Sequence, residues 1–270
     1  EDDRTRHMVV SGAHTGPVFL CYRAQDEIKK IVAEETAKEA LYDFSAEDGV
    51  RHVVWKVENP SPLVTAFTDV PQTYIADGHH RAKSSSRTRE EKRSANSNHT
   101  GDEAYNYMLS VLFPDDELRI LPYNRIIKET ALSKEQILSH VSEVYNVSEN
   151  TNPSPEKRGE VSMYLDGAWY GLSPLEGDVV PNDPVEALDV SILQNKVLTP
   201  VFDIQDPRKD ANIDFIGGIR GTAELEKLVD SGKACVAFSM YAVSIAELLD
   251  VADEGLTMAP KSTWFEPKLR

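Results

Sequence analysis

Cysteine is nearly missing from this chain, with two among 270 residues. Each sits in an apolar run, Cys21 in "PVFLCY" and Cys235 in "KACVAFSM". So few thiols cannot staple a fold. Buried free thiols are the expectation, with one disulfide as the lesser alternative. Long hydrophobic runs are missing too. No segment reaches the roughly 20 apolar residues that a membrane-spanning helix needs, and no signal peptide heads the sequence. A cytoplasmic chain without a membrane partner is therefore expected. Positive charge is scarce, at 29 Lys and Arg against 45 Asp and Glu, for a net charge of −16. That argues against broad attachment to nucleic acid or anionic membrane, yet it leaves room for a small basic pocket. The phosphate-loop pattern G-x-x-x-x-G-K-[ST] occurs nowhere, and helical metal-ligand spacings are absent. An initiating methionine is also lacking. With its start at "EDDRTRH" and its end at "FEPKLR", the sequence reads as a piece of a longer protein.

What is present is ordinary for a globular protein: 40% hydrophobic and 27% charged residues. Pro17 to Arg23 reads as a buried strand, Asp26 to Tyr42 as an amphipathic helix and Val50 to Val57 as an alternating strand. The proline-rich stretch that follows supports only a short central helix. "TYIAD" is a strand, and His80 to Asn96 an exposed polar helix. Asp102 to Phe113 has apolar residues at helical spacing. Leu118 to Lys128 holds one or two strands, and Ser133 with Gln136 marks a capped helix. Asn146 to Glu160 is a linker or long hairpin loop, and Glu160 to Leu172 a hairpin turning at Asp-Gly. Asp183 to Leu198 reads as a helix with Pro184 in its first turn. The remainder alternates strand and helix. The expected fold is α+β, with mixed sheets and flanking helices. The linker divides it into residues 1–150, carrying "DGHHR", and 151–270, carrying "GGIRG" and "KST".

Three stretches have the residue types for chemistry. In "YIADGHHRAKSSSR" a strand ends in Asp-Gly and passes straight into a helix. Unpaired backbone N–H groups and the helix dipole make such a turn suitable for phosphate or carboxylate. Gly78 permits close backbone approach, and Asp77 either caps the helix or holds a cation. His79, His80 and Arg81 add donors and an acid or base near neutral pH. Adjacent helical residues point about 100° apart, so one histidine serves the site and the other supports it. The alternative is a surface turn with a capping aspartate. In "IDFIGGIRGTAELEKL" a strand meets a glycine-rich turn with Gly217, Gly218 and Arg220, then a helix capped at Thr222. It lacks G-x-G-x-x-G spacing, and a tight turn with an exposed arginine explains it equally. In "MAPKSTWFEPK", Lys261, Ser262 and Thr263 offer an ammonium and two hydroxyls to phosphate; a turn entering an edge strand is the alternative.

Together and in this order, "ADGHHR", "DFIGGIRG", "LVDSGKACVAF" and "MAPKSTWFEPKLR" resemble the bacterial and archaeal family filed as domain of unknown function 1015. The resemblance extends to "EDDRTRH" and "GDEAYNYMLSVLFP". Ala259 departs from a second proline common in the family, and "AKSSSR" is more polar than its relatives' helices. Family members are longer and carry an N-terminal region absent here. The "DGHHR" turn is also similar to the signature of the ParB/sulfiredoxin superfamily, which binds nucleotide phosphates at such a helix start and includes kinases of free serine. These resemblances imply a ParB/sulfiredoxin-like nucleotide-binding core and phosphoryl transfer to a small hydroxylated metabolite, serine or phosphoserine, with ADP or ATP. Gly78 to Arg81 would hold phosphate, and His79 or His80 would orient or protonate a phosphate oxygen. Arg220 or Lys261 would balance charge, Asp77 would hold Mg²⁺ or cap the helix, and the base would be Glu1, Asp3 or a residue of the missing N-terminal region. The other readings are a non-catalytic nucleotide-responsive module of ParB type, which would form a homodimer, and a phosphate-monoester hydrolase. The acidic charge and the lack of a helix-turn-helix stretch weigh against DNA.

Overall fold

The computed structural model describes residues 2–259 and 261–266. The fold is mixed α+β, with several sheets and flanking helices. The chain forms two compact units, one running to Leu118 and the other beginning at Arg119. The expected divide at residue 150 falls inside the second unit, in the loop after a strand whose neighbours share one sheet.

The first unit contains α1 (Asp2–Ser11), β1 (Val18–Tyr22), α2 (Asp26–Thr36), β2 (Tyr42–Ser45), β3 (Arg51–Val54), α3 (Ser61–Phe67), β4 (Tyr74–Asp77), α4 (His79–Ala95) and β5 (Ser110–Pro114). Its three-stranded sheet has the order β4-β1-β5, antiparallel on one side and parallel on the other. All five residues of central β1 are buried, which is why it reads as an unbroken apolar run rather than an alternating one. Cys21 lies there as a free thiol, and burial pushes its pKa up to about 11. α1 packs along α4 through Thr5 and Met8 on one helix and Ser84, Ser85 and Thr88 on the other. The polar helix is thus half built in: its small hydroxyl residues bring the two backbones close, and Thr88 donates to the Ser84 carbonyl at 2.9 Å.

Two expectations for this unit need correction. α2 stops at Thr36, not Tyr42. Residues 102–113 form a short 3₁₀ turn (Ala104–Asn106) followed by β5, not a helix. Pairing decides the second case. β5 runs in register beside β1 from Val18↔Ser110 to Tyr22↔Pro114, so ladder hydrogen bonds override helical spacing.

The second unit contains β6 (Arg119–Leu121), β7 (Tyr123–Ile127), α5 (Lys134–Ser142), β8 (Asn146–Glu149), β9 (Val161–Leu165), β10 (Ala168–Ser173), α6 (Asp189–Leu193), α7 (Thr199–Phe202), β11 (Ile213–Gly217), α8 (Ala223–Asp230), β12 (Val236–Met240), α9 (Ile245–Asp253) and β13 (Trp264–Glu266). Six strands form an antiparallel sheet in the order β11-β7-β12-β9-β10-β8, while β13 pairs with β6. Both faces of the large sheet are covered. Ile127, Met163, Val236 and Phe238 enter the larger core, and their strand neighbours Ile126, Tyr164 and Ala237 enter a smaller one with Leu225 of α8. The alternation is that of a pleated strand, with successive side chains on opposite faces. Ser133 and Gln136 form the expected capping box. Asp166 and Gly167 turn the β9–β10 hairpin with positive φ at both positions, as a two-residue I′ turn requires.

The expected helix over 183–198 starts later. Asp183 turns the chain through Val185 and Glu186, α6 begins at Asp189, and a π-helical segment at Gln194–Leu198 leads into α7. Pro200 accounts for the wide turn, since a proline ring clashes with the carbonyl four residues earlier, here Lys196. Among the described residues, no helix is long and apolar enough to cross a membrane.

Past the end of α4, Glu103 gathers the loop 99–106. Its carboxylate accepts from the Thr100 N–H at 2.7 Å, the Gly101 N–H at 3.0 Å and the Thr100 hydroxyl at 3.1 Å, and lies 3.0 Å from His99 Nδ1. The Thr100 N–H, foremost among these donors, holds its pKa down at about 2 against an ordinary 4.5. A lowered carboxylate pKa stabilises the folded state fully above the unfolded value, and that contribution is lost as pH falls through the folded one. The unfolding midpoint should therefore drop as pH is lowered from 4.5 toward 2. In Glu103→Gln that part of the pH slope should be gone, as urea titrations across the range would show.

Candidate functional site

The turn "DGHHR" lies in the first unit. β4 ends at Asp77, which faces Phe19 of β1, and α4 begins at His79. Gly78 links them with φ 97° and ψ 25°, a left-handed conformation costly for any residue with a Cβ. Its carbonyl accepts the Ala82 N–H at 2.9 Å, so the helix starts within one residue of the strand. No side chain caps the helix, and its first turn has no acidic residue. Asp77, one of whose expected roles was capping, does not cap. Its carboxylate is exposed and lies 3.6 Å from Arg81 Nη2, because the extended strand directs it away from the first-turn N–H groups.

Arg81 folds back over the turn. A Cβ built on Gly78 would lie 2.9 Å from Arg81 Nη2 and 3.0 Å from Nε, and Gly16 backs Cδ from the other side. Arg81 Nε is buried and has no hydrogen-bond partner among the described residues. An uncapped helix start and an arginine with an unmet donor therefore share one turn. Both favour an anion there. His79 and His80 are exposed at the head of the helix. Glu1 lies outside the described residues. Asp3 is exposed on α1, whose Asp2 pairs at 2.7 Å with Arg87, six residues and about 9 Å of helical rise beyond Arg81.

The other two stretches meet each other in the second unit. Gly217 and Gly218 are required by packing. A Cβ on Gly217 would come within 2.6 Å of the Trp264 ring, and one on Gly218 within 2.7 Å of Pro122. The Gly218 N–H is committed to the Pro122 carbonyl at 2.7 Å. Arg220 is exposed on the turn that follows. Thr222 has helical backbone and makes no capping bond, so the expected cap is absent. Lys261 takes φ 57° and holds its ammonium 5.5 Å from the Tyr123 ring. Ser262 is buried and donates to the Ala259 carbonyl at 2.6 Å. Thr263 precedes β13, whose Trp264 ring packs tilted against Tyr123, with centroids 5.5 Å apart.

Two residues escaped the sequence reading. Gly16 is one; its only signal is a glycine before proline ahead of β1. Arg125 is the other, buried within β7, and its signal is a lone charge inside the apolar run of "YNRII". Among the described residues, no group of three or more His, Cys, Asp or Glu gathers around a metal position.

A family model described as "Protein of unknown function (DUF1015)" matches residues 1–191, a span that includes the Gly78 turn and ends before "GGIRG". No curated protein matches the sequence significantly. Similar solved structures include a conserved hypothetical protein from Pyrococcus furiosus, at 14% identity and TM-score 0.41 over 98% of this chain and 81% of that one. A free serine kinase in complex with AMP is similar at 15% identity and TM-score 0.40, over 92% of this chain and 83% of the kinase. A mutant of a free serine kinase in complex with ADP gives 15% identity and TM-score 0.39, over 92% and 84%.

The turn makes its own prediction. Gly78→Ala should cost roughly 1–2 kcal/mol for left-handed backbone, and more for displacing Arg81. Gly12→Ala carries the same sign of φ with nothing within 4 Å of the added methyl. Urea unfolding should show the larger loss at Gly78; equal losses would mean that Arg81 does not press on the turn.

Proposed function

The chain belongs to the DUF1015 family of proteins of unknown function, and from that premise we propose that it is a phosphoryl-transfer enzyme with a ParB/sulfiredoxin-like core. The donor is ADP or ATP and the acceptor a small hydroxylated metabolite, serine being the leading candidate. One observation carries the reading: the uncapped, acid-free start of α4, with the buried and unpartnered Nε of Arg81 beside it. A phosphate group would satisfy that guanidinium and accept from the backbone N–H groups of the turn.

The division of labour follows from position. Gly78 lets phosphate approach the backbone, and Arg81 binds it. His79 and His80 stand at the head of the helix, where an imidazole reaches a phosphate oxygen or an acceptor hydroxyl. Mg²⁺ bound with phosphates needs only one or two protein carboxylates, and Asp77 offers one at the turn. The ion would supply charge neutralisation on the phosphates. In the second unit, the same reading assigns anion contacts to Arg220 and Lys261.

A thermal-shift titration with ADP and Mg²⁺ tests the binding step. The chain should be protected in proportion to ligand, and Arg81→Ala should lose that protection; retained protection in the variant would sink the assignment. Mg²⁺-dependent formation or cleavage of phosphoserine, abolished in His80→Ala, is the expected catalytic readout.

A further inference from the structure

We propose that the second unit carries a separate binding site for a small organic monocarboxylate, built on Arg125. This site does not rest on the phosphoryl-transfer reading. Arg125 sits in the middle of β7 and is only 3% exposed. Its Nη1 donates to the Tyr123 carbonyl, its Nη2 donates to the Lys261 carbonyl at 3.5 Å, and the guanidinium lies 5.5 Å from the Phe215 ring centre. No carboxylate of the described residues pairs with it. Burial pulls its pKa down to about 10, with no charged neighbour to raise it. A buried guanidinium without an anion is an expensive arrangement, because carbonyl dipoles do not neutralise a full charge.

Arg125 is also part of the lining of a cleft of about 610 Å³. Apolar walls come from Val185, Val190, Phe215 and Met258. Ser191, a residue 9% exposed, lines the same cleft. A planar carboxylate matches the guanidinium fork, and Ser191 adds a third donor. The walls suit a short aliphatic or aromatic body. Charge at the rim argues for a monoanion rather than a phosphate. Asp206 and Glu186 stand there, Asp206 already pairing with Arg208 at 3.1 Å and Lys209 at 3.7 Å, and Glu186 accepting from Asn195 at 2.7 Å. Arg208 lines the cleft too and neutralises Asp206, so Glu186 is the carboxylate that a dianion would meet.

Calorimetric titration of the whole chain with hexanoate and benzoate tests this, with hexanamide, benzamide and inorganic phosphate as comparisons. At least one acid should bind saturably while the amides stay silent. Arg125→Met should weaken the acid by about tenfold or more. Val185→Trp, which fills the cleft and keeps Arg125, should abolish binding. Should Arg125→Met fail to fold, the acid-against-amide contrast together with Val185→Trp still decides. The proposal is overturned if neither acid saturates, if the amides bind equally well, if phosphate binds in preference, or if Val185→Trp binds the acid unchanged.

Discussion

Between Asp77 and His79 the backbone passes from strand to helix through a single residue, and it does so only because Gly78 takes φ 97°. The geometry of the helix start depends on that constraint. A longer connection would leave room for a capping side chain, and the first-turn donors of α4 would then be spent within the protein. A side chain at residue 78 would push Arg81 off the turn. α1 packs against α4, whose Ser84, Ser85 and Thr88 are buried, so the helix is built into the unit although its sequence is almost wholly polar. The absence of an acidic residue in the first turn has the same effect as the absence of a cap. Both leave the positive end of the dipole uncompensated.

The second unit solves a different problem. Its sheet is covered on both faces, so the buried apolar residues of β7, β9 and β12 are assigned to one core or the other by their parity. Polar tips on the smaller core are matched: Tyr164 donates to Asp230 at 3.0 Å and Trp169 to Glu226 at 2.7 Å. Arg125 breaks this order, since it is buried, charged and without an acid among the described residues. Its contact with the Lys261 carbonyl ties β7 to the segment before β13, and that segment is anchored again where Trp264 lies against Gly217. The glycine pair that looked like an anion turn thus reads first as a packing device.

What was legible in the sequence was local. Ser133 with Gln136, the Asp166–Gly167 turn and the passage from "YIAD" into α4 each depend on residues a few positions apart, and each lies where its pattern put it. Features set by distant partners were not legible. Ser110 to Pro114 kept helical spacing, yet their partner is β1, some 90 residues earlier. The proline at 200 acted on the helix before it rather than on the one it begins. For the site, the sequence marked Gly78 and Arg81 but could not show Gly16 behind the guanidinium. It also could not show that Gly218 has given its N–H to Pro122.

Arg81 and Arg125 both hold unmet guanidinium character, but the physics of filling them differs. Arg81 is partly exposed and has Asp77 within 3.6 Å. An anion arriving there competes with water and with an exposed carboxylate, so backbone N–H groups must supply much of the affinity. Arg125 is almost fully buried, with two carbonyls and the Phe215 ring as its partners among the described residues. An anion there relieves a charge already desolvated during folding, so each contact is worth more, while the apolar part of the wall favours an anion with an apolar body. The first arrangement favours a highly charged, hydrated group such as a nucleotide phosphate. The second favours a weakly hydrated carboxylate with an apolar body. The two arginines of this acidic chain therefore differ in burial rather than in residue type, and that sets which anion each would suit.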